Sequence, residues 1–439
     1  MPESLSKEHY LSAFSRYYEN GTNHASPWLR ELRSAGARSF EEVGFPSTKR
    51  EDWKYTSVDP ITSVRFERAN GKTRRVEPEK IFSASLTDAA YNRLVFINGV
   101  FSSELSWLRA TSTGVWVASL AQVIAEESSV VEPYLGRYAS HQQEGFVALN
   151  TAFIEDGAFV FVPRGRIVDD PIYLIFVSME ADRPIVSYPR NLLVFEEGSQ
   201  ARIVESYVGL GANRHFNDAV TEIIGKQDTV IDYYRLQREG DSGLHVGRVA
   251  AQLGQNCNFT SQTITLGGAL VRNDLTAVVD GEGAQCALNG LYLVDGDQHV
   301  DNYTRIDHVR PHGTSMELYK GILSGNGRGV FNGKIMVHKD AQKTDARQTN
   351  KNLLLSANAV VNTKPQLEIY ADDVKCSHGS TIGQLDRDAL FYLRSRGLDL
   401  ESARSLLSYA FASDVVGRVK IPPMRARLDD YLMTKFGRN

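Results

Sequence analysis

The spacing of hydrophobic and polar positions divides the chain into three regions. Residues 1–145 are a mixed region that opens, over residues 4–42, with apolar positions three to four apart, such as Tyr10 and Phe14, as in an amphipathic helix. Residues 146–383 alternate apolar and polar positions in short runs separated by Gly, Asp and Asn, which predicts β-strands. Residues 384–439 return to helical spacing. We therefore predict a mainly β core flanked by helical N- and C-terminal regions.

Glycines recur at a nearly constant interval in the central region. They stand at positions 198, 225, 254, 283 and 313, at intervals of 27, 29, 29 and 30 residues. Because strand side chains alternate, the third and fifth residues after each glycine share one face, which we expect to point inward. These residues are Ala201, Asp228, Cys257, Cys286 and Met316, then Ile203, Val230, Phe259, Leu288 and Leu318. The fourth positions, which include Glu317, are expected to face outward.

A turn and a short half-buried strand at every 27 to 30 residues are typical of a β-solenoid, in which each coil pairs its backbone edge with the next coil. A β-sandwich, with turns about every 8 to 12 residues, gives no reason for the longer interval. The repeat places Cys257 and Cys286 at equivalent positions of neighbouring coils, about 4.8 Å apart. We interpret both as small core residues and not as metal ligands.

Three short helices are predicted in the C-terminal region. Asp386 or Asp388 can cap the first helix, Asp399 caps the second, and the third follows the pair Pro422 and Pro423. Apolar residues of the first two helices are Leu390, Phe391, Leu393, Leu406, Leu407 and Phe411. Because three short helices bury little surface alone, we expect them either to dock on the end of the solenoid or to present an apolar face to a partner.

The composition excludes several classes of protein. Lys and Arg total 49 against 53 Asp and Glu, a formal charge of −4, which leaves no overall basic field for nucleic acid or an anionic membrane. The longest apolar runs fall far short of the about 20 residues that cross a bilayer, and the first residues lack the pattern of a secretory signal. We expect a cytoplasmic protein. The three cysteines form no C-x-x-C pair, so neither a disulfide framework nor a self-contained zinc site is expected.

Residues 372–379, DDVKCSHG, form the most informative candidate site. If this segment is extended, Cys376 and His378 lie on one face and offer a thiol beside an imidazole, a pair that suits iron or zinc. Two ligands are too few for a closed tetrahedral site, so a metal there would need donors from elsewhere, such as another chain. The alternative is a core cysteine beside a turn histidine, which the spacing alone favours because C-x-H is a short pattern.

Other sequence patterns are weaker evidence for a functional site than residues 372–379. Three histidines and two aspartates stand close together in the sequence: His299, His308, His312, Asp301 and Asp307. Their arginine neighbours favour a solvated surface over a catalytic or metal site. The segment KREDWKY, residues 49–55, is interpreted as a solvated turn with anchored aromatic rings. The motif G-x-x-x-x-G-K-[ST] does not occur, so the chain is not expected to hydrolyse ATP itself.

Two longer blocks carry a resemblance to a known family. KREDWKYTSVDPI (residues 49–61) and TKPQLEIYADDVKCSHGSTIGQLDRDALFYLRSRGL (residues 363–398) resemble the SufD family of iron–sulfur cluster assembly proteins, and the likeness extends over essentially the whole chain. The first block would also fit the paralogous SufB family. Residues 347–363 contain no cysteine where SufB carries its cluster-binding thiols, and KCSHG is the SufD form, so the SufD family is favoured.

The resemblance implies a right-handed parallel β-helix core flanked by helical regions, in agreement with the repeat. It also implies a cytosolic complex with one SufB-like subunit and two copies of a SufC-like ABC ATPase, which the family's C-terminal helices bind. Here those helices carry Leu390, Phe391, Leu393, Leu406, Leu407 and Phe411. A transient iron–sulfur cluster is expected at the interface with the SufB-like subunit, with His378 as a ligand candidate and Cys376 nearby. A reduced flavin accompanies some complexes of the family, although no flavin fingerprint occurs in this sequence, and a homodimer of the isolated chain stays open.

We therefore predict a non-catalytic scaffold subunit for iron–sulfur cluster assembly. The alternative hypothesis is a carbohydrate-active β-solenoid enzyme, which would present paired carboxylates on one face of the solenoid. The seventh positions after the repeat glycines hold no stacked acid pair. They are Glu205, Asp232, Ser261, Gly290 and Lys320.

Overall fold

A computed structural model describes residues 7–21, 25–68, 76–87, 91–109 and 114–437. Its helices are α1 (Lys7–Gly21), α2 (Pro27–Val43), α3 (Asp59–Thr62), α4 (Pro78–Ala84), α5 (Leu120–Val131), α6 (Gly145–Ala152), α7 (Arg387–Ser395), α8 (Leu400–Val416) and α9 (Pro422–Gly437), with a 3-10 turn at Glu51–Trp53. The first residues of the predicted helical segment, from position 4, lie outside the described residues.

The strands run through the middle of the chain. They are β1 (Glu67–Arg68), β2 (Arg93–Ile97), β3 (Val100–Phe101), β4 (Trp116–Ser119), β5 (Ala158–Val162), β6 (Ile172–Ser178), β7 (Ile185–Ser187), β8 (Arg190–Phe195), β9 (Gln200–Gly209), β10 (His215–Gly225), β11 (Val230–Arg238), β12 (Gly243–Leu253), β13 (Asn258–Thr265), β14 (Leu270–Val279), β15 (Gln285–Val294), β16 (His299–His308), β17 (Thr314–Leu323), β18 (Arg328–Val337), β19 (Asp345–Leu354), β20 (Val360–Ile369) and β21 (Lys375–Gly383).

These strands form two long sheets. The first sheet has the order β20-β18-β16-β14-β12-β10-β8-β5-β4, and the second has the order β21-β19-β17-β15-β13-β11-β9-β6-β2-β3. From β8 onward each strand pairs in parallel with the strand two places along the chain, so the chain alternates between the sheets and each pair of strands makes one coil. The predicted fold is confirmed: a parallel β-solenoid of about eight coils, flanked by N- and C-terminal helices.

The register of the coils follows a turn residue in the left-handed conformation. The residues at this position are Gly198, Asp228, Asn256, Gly283, His312 and Lys343, with φ between 53° and 70°. The next strand begins two residues later in each coil, and the strand starts are paired with one another. Glycine adopts this conformation most easily, but most of these positions hold another residue. Glycine is therefore an incomplete marker of the repeat.

The register predicted from glycines is correct in three coils and wrong in two. Gly225 and Gly313 lie an odd number of residues from the left-handed residue of their own turn. Because strand side chains alternate with a period of two, an odd offset turns every side chain to the opposite face. Met316, expected inside, is 52% exposed, whereas Glu317, expected outside, is 1% exposed in the interior. Leu318 instead faces outward beneath C-terminal helices.

The two buried cysteines lie in the core but at different positions of their coils. Cys286 is paired with Phe259 in the neighbouring coil and not with Cys257. The predicted stacking of the two cysteines is therefore wrong by two residues. Both side chains are almost completely buried, and burial raises the pKa of Cys257 to about 11 and that of Cys286 well above its ordinary value. Their interpretation as small core residues is confirmed.

Helices from both ends of the chain cover the outer faces of the sheets. Leu318 and Ile322 of β17 share a buried cluster with Val415 of α8 and Leu428 of α9 on the second sheet. The N-terminal region packs on the first sheet in a cluster that includes Phe146. The C-terminal helices were predicted either to dock on the end of the solenoid or to present an apolar face to a partner. Docking on the end is wrong, because α8 and α9 pack on the side of the solenoid, against the second sheet.

The KREDWKY segment lies across the outer face of the first sheet. Trp53 is buried, and the guanidinium carbon of Arg272 in β14 lies 4.0 Å from its ring centroid. Glu51 forms an ion pair with Lys364 of β20. Tyr55 is exposed. The interpretation as a turn with anchored rings is confirmed for Trp53 and wrong for Tyr55.

Candidate functional site

The last coil, β20 and β21, leaves one end of the solenoid open. Within the described residues β20 pairs in its sheet only with β18, and β21 only with β19. The edge therefore carries backbone groups without strand partners and core side chains with no coil above them. We call this surface the open end. Its inward-facing residues are Val361, Thr363, Pro365, Leu367, Ile369, Cys376, His378, Ser380 and Ile382.

Cys376 and His378 both belong to the open end. Cys376 is paired with Ala346 and His378 with Gln348, both of which are buried inward-facing residues of β19. Since paired residues of adjacent coils point the same way, the thiol and the imidazole are on the inward face of the last strand. Cys376 is half-buried and packs against the solenoid core, whereas His378 is exposed. The prediction that the two side chains share a face is confirmed.

The electrostatic surroundings keep the Cys376 thiol protonated. Burial raises the pKa of Cys376, the backbone hydrogen bond of Ala346 opposes that effect, and the nearby Asp345 carboxylate adds to it. A thiolate is the form that binds metals. Metal binding at Cys376 would therefore require release of the thiol proton.

The donor set of the open end is incomplete within one chain. The described residues include no group of three or more His, Cys, Asp or Glu side chains placed to hold a metal ion. One sulfur and one nitrogen donor can bind iron or zinc only if further donors arrive from outside.

Two buried polar residues lie beneath His378. Gln348 is paired with His378, and Glu317 is paired with Gln348 in the coil below. Gln348 Nε2 donates to Glu317 Oε2 at 2.7 Å. We call Glu317, Gln348 and His378 the polar column. Gln348 was not predicted, and Glu317 was predicted to face outward. The inward direction of Glu317 follows from the turn residue His312, and that of Gln348 follows from Lys343.

The histidine and aspartate group does not form a solvated surface. His308 is fully buried, with Nε2 2.9 Å from the hydroxyl of Ser315. Asp301 is 1% exposed and forms a buried ion pair with Arg272. The prediction of a surface cluster is wrong for these residues, because β16 is covered on both faces. His312 lies instead in a turn.

The six predicted ATPase-binding residues do not share one surface. Phe391 and Leu406 are 76% and 45% exposed, while the other four are half-buried. Phe411 faces the solenoid, since its ring centroid lies 4.6 Å from Lys320 Nζ. Leu406 lines a groove of about 620 Å³ between α8 and α9. We call it the α8–α9 groove, lined by Leu398, Ser402, Leu406, Tyr409, Met433 and Phe436.

Comparison with protein families defines the class of protein that carries this open solenoid. Residues 176–411 match the family described as SUF system FeS cluster assembly, SufBD core domain, and residues 4–174 match the SufBD protein N-terminal region. The chain therefore belongs to the SufBD family of FeS cluster assembly proteins. Within that family it is similar to SufD.

Curated relatives match over nearly their whole length. The iron–sulfur cluster assembly protein SufD of Escherichia coli is 32% identical over 408 residues, 90% of this chain and 93% of the relative. A SufBD family protein of Synechocystis is 33% identical, covering 91% and 89%. The chloroplastic protein ABCI7 of Arabidopsis thaliana is 30% identical, covering 88% and 82%.

Among the described residues, no helix combines the length and the apolar character required to cross a bilayer.

Proposed function

We propose that the chain is a non-catalytic scaffold subunit whose open end docks against a SufB-like subunit, so that a nascent iron–sulfur cluster forms between them. One observation carries the proposal: His378 and Cys376 are core-facing side chains of the last coil, above which the described part of the chain places no further coil. Among the described residues no further donor is grouped with this pair, and we place the remaining donors on another chain. The imidazole and the thiol suit iron, and the cluster is the cargo of the complex.

The backbone of the last coil supports docking of a second solenoid. The free edges of β20 and β21 can each pair with a strand of a partner, which continues both sheets across the interface. A SufB-like subunit with a similar free end fits this surface.

The α8–α9 groove supports binding of a SufC-like ABC ATPase. Its wall combines exposed apolar side chains, Leu406 and Met433, with the half-buried rings of Tyr409 and Phe436. Apolar grooves of this kind accept a helix or an apolar loop of a partner. Because the sequence has no phosphate-binding loop, the ATP chemistry of the complex belongs to that partner.

The compartment and the flavin stay predictions. We place the complex in the cytosol, while one relative is named chloroplastic. Because the matching family is described as one of FeS cluster assembly, we do not propose that the chain is a carbohydrate-active enzyme.

Replacing His378 tests the proposal. In a complex reconstituted anaerobically from this chain, a SufB-like subunit and a SufC-like ATPase, we predict that His378→Ala lowers bound iron and sulfide at least severalfold, because a ligand is lost. Subunit stoichiometry should not change, since the exposed imidazole supports no packing. The measurement is iron and acid-labile sulfide per complex after gel filtration.

Ser380→Ala is the matched control. Ser380 belongs to the same open end, two residues from His378, and its hydroxyl bonds to Thr363 at 2.9 Å without offering a preferred iron donor. Its complex should keep the wild-type iron content. Unchanged iron and sulfide in His378→Ala would remove His378 from the site.

A further inference from the structure

Gln348 lies directly beneath His378. The two residues are register partners in β19 and β21, so their Cα atoms are about 4.8 Å apart. Gln348 is 1% exposed. The facing strand makes room for its amide, because a side chain at Gly333 of β18 would collide with Gln348 Nε2. Gln348 thus forms the buried floor under the exposed imidazole.

The amide of Gln348 is held in one orientation. Its Nε2 donates to Glu317 Oε2 at 2.7 Å, which places the nitrogen end of the amide toward Glu317 as long as the Glu317 proton is not on Oε2. The other end, Oε1, is buried and has no hydrogen-bond donor among the described residues. Buried acceptors without a donor are uncommon in folded proteins. Gln348 Oε1 is therefore a buried acceptor for which the described residues supply no hydrogen-bond donor.

We infer that this donor is a ring N–H of His378, and that Gln348 is the positioning residue for iron binding at the open end. The inference rests on the proposed function of that surface. Histidines that bind metals commonly donate their second ring N–H to a carbonyl or carboxylate oxygen, which fixes the tautomer and the orientation of the ring. With one N–H on Gln348, the opposite ring nitrogen is unprotonated and free to bind iron.

Docking of the partner completes this arrangement. In the single chain nothing among the described residues covers the last coil, and the imidazole is exposed to solvent. Two hydroxyls of the same layer, Ser380 and Thr363, are hydrogen-bonded to each other at 2.9 Å. A partner that covers the open end confines the ring of His378 against the layer below, where Gln348 Oε1 is the buried acceptor without a donor.

The test compares His378→Ala with Gln348→Met in the reconstituted complex. Methionine matches glutamine in length but offers no oxygen. Iron affinity is measured by competition with a chelator, and pulsed EPR of the reduced cluster records the quadrupole coupling of the remote nitrogen of a histidine ligand, which depends on the hydrogen bond of its N–H. We expect Gln348→Met to keep the histidine signal with an altered coupling and to bind iron about 10- to 100-fold more weakly.

Asn350→Leu is the matched control. Asn350 is another buried amide of β19, two residues from Gln348, and its Nδ2 donates to the carbonyl of Tyr319 at 3.2 Å. It should show wild-type coupling and iron affinity. Equal losses in Asn350→Leu and Gln348→Met would show a general packing effect and overturn the inference.

The outcomes separate this inference from the proposed function. If His378→Ala abolishes the histidine signal while Gln348→Met matches the wild type in both measurements, Gln348 does not position His378 and the proposed function stands. If His378→Ala keeps the histidine signal, His378 is not a ligand, and both the inference about Gln348 and the proposed function are overturned. Should Gln348→Met fail to fold because Glu317 loses its donor, the apolar pair Glu317→Leu/Gln348→Met replaces it in the same comparison.

Discussion

Glu317 is a carboxylic acid inside the solenoid, and its surroundings determine its charge. It is 1% exposed, and its Oε2 accepts a hydrogen bond from Gln348 Nε2. Burial raises the pKa of Glu317 from 4.5 to about 7, against the opposing effects of hydrogen bonds from Thr304 and Gln348. At pH 6 the folded chain therefore holds a proton that the unfolded chain has released.

This proton makes stability fall as the pH rises. A raised pKa favours the folded state fully below the unfolded pKa of 4.5, and that contribution is lost as the pH rises through about 7. Glu317→Gln is uncharged at every pH. We predict that the unfolding free energy of Glu317→Gln minus that of the wild type is larger at pH 8 than at pH 5 by roughly 2–3 kcal/mol. Urea denaturation at a series of pH values measures it.

His308→Gln is the control, because the pKa of His308 shifts in the other direction. Burial lowers the pKa of His308 from 6.5 to about 4, so its stabilising contribution is lost as the pH falls from about 6.5 to 4. Between about pH 4 and 6.5 the His308 variant should therefore change the pH dependence in the opposite sense to Glu317→Gln. If Glu317→Gln keeps the wild-type slope between pH 5 and 8, Glu317 is not protonated in the fold.

The Cys376–His378 pair and Glu317 show which features of a site can be predicted from a sequence. The shared face of Cys376 and His378 follows from their spacing within one strand, which needs no knowledge of other coils. The inward direction of Glu317 depends on where its coil begins, and that coil begins at His312 and not at the adjacent Gly313. A histidine in the left-handed conformation has no distinctive sequence signal.

At the scale of elements, the C-terminal helices were predicted by their caps. Asp386 accepts from the backbone N–H groups of Asp388 and Ala389 at the start of α7, and Asp399 accepts from that of Ser402 at the start of α8. The packing of α8 was not predicted, because the helix carries apolar residues on more than one face. The buried residues of α8 include Ala403, Ser408 and Ala412, whose small side chains let α8 lie close to the second sheet. The side with Leu406 is left to line the α8–α9 groove.

Charged substitutions in the groove should separate partner binding from folding. Leu406 and Met433 are 45% and 57% exposed, so their replacement removes little packing within the chain. We predict that Leu406→Glu and Met433→Glu each weaken binding of the SufC-like ATPase by at least about tenfold, because a carboxylate would be buried in an apolar contact. Isothermal titration calorimetry with the purified ATPase measures the affinity.

Ile167→Glu is the control for the groove. Ile167 is a similarly exposed apolar residue, at 55%, before β6 and outside the C-terminal region. It should bind the ATPase as the wild type does, and all three variants should keep the wild-type melting temperature within a few degrees. Wild-type affinity in both groove variants would place the ATPase on another surface, such as α7 with its exposed Phe391.

At the scale of the molecule, the two ends of the solenoid differ. At the first end the sheets finish in antiparallel pairs, β3 with β2 and β4 with β5. At the other end the sheets stop at parallel strands with free edges. The glycine interval predicted a solenoid, because coil length is a property of the sequence. It could not predict which end is closed, since closure depends on segments that fold back from outside the repeat.

The free end should also govern self-association. If no SufB-like subunit is present, the same free edges can pair with those of a second copy of the chain, and we predict a homodimer in the micromolar range. Ile382 of β21 is 48% exposed at the open end. Ile382→Lys places a charge on that surface and should weaken dimerisation, and docking of the SufB-like subunit, by at least about tenfold.

Val100→Lys is the matched control for the open end. Val100 is 45% exposed on β3, the strand at the opposite end of the same sheet. Sedimentation equilibrium of the wild type and both variants measures the association. The wild type and Val100→Lys should form dimers of equal affinity, and Ile382→Lys should be largely monomeric at the same concentration. If Val100→Lys loses the dimer while Ile382→Lys keeps it, copies associate through the closed end, and the free edges of the last coil do not drive self-association.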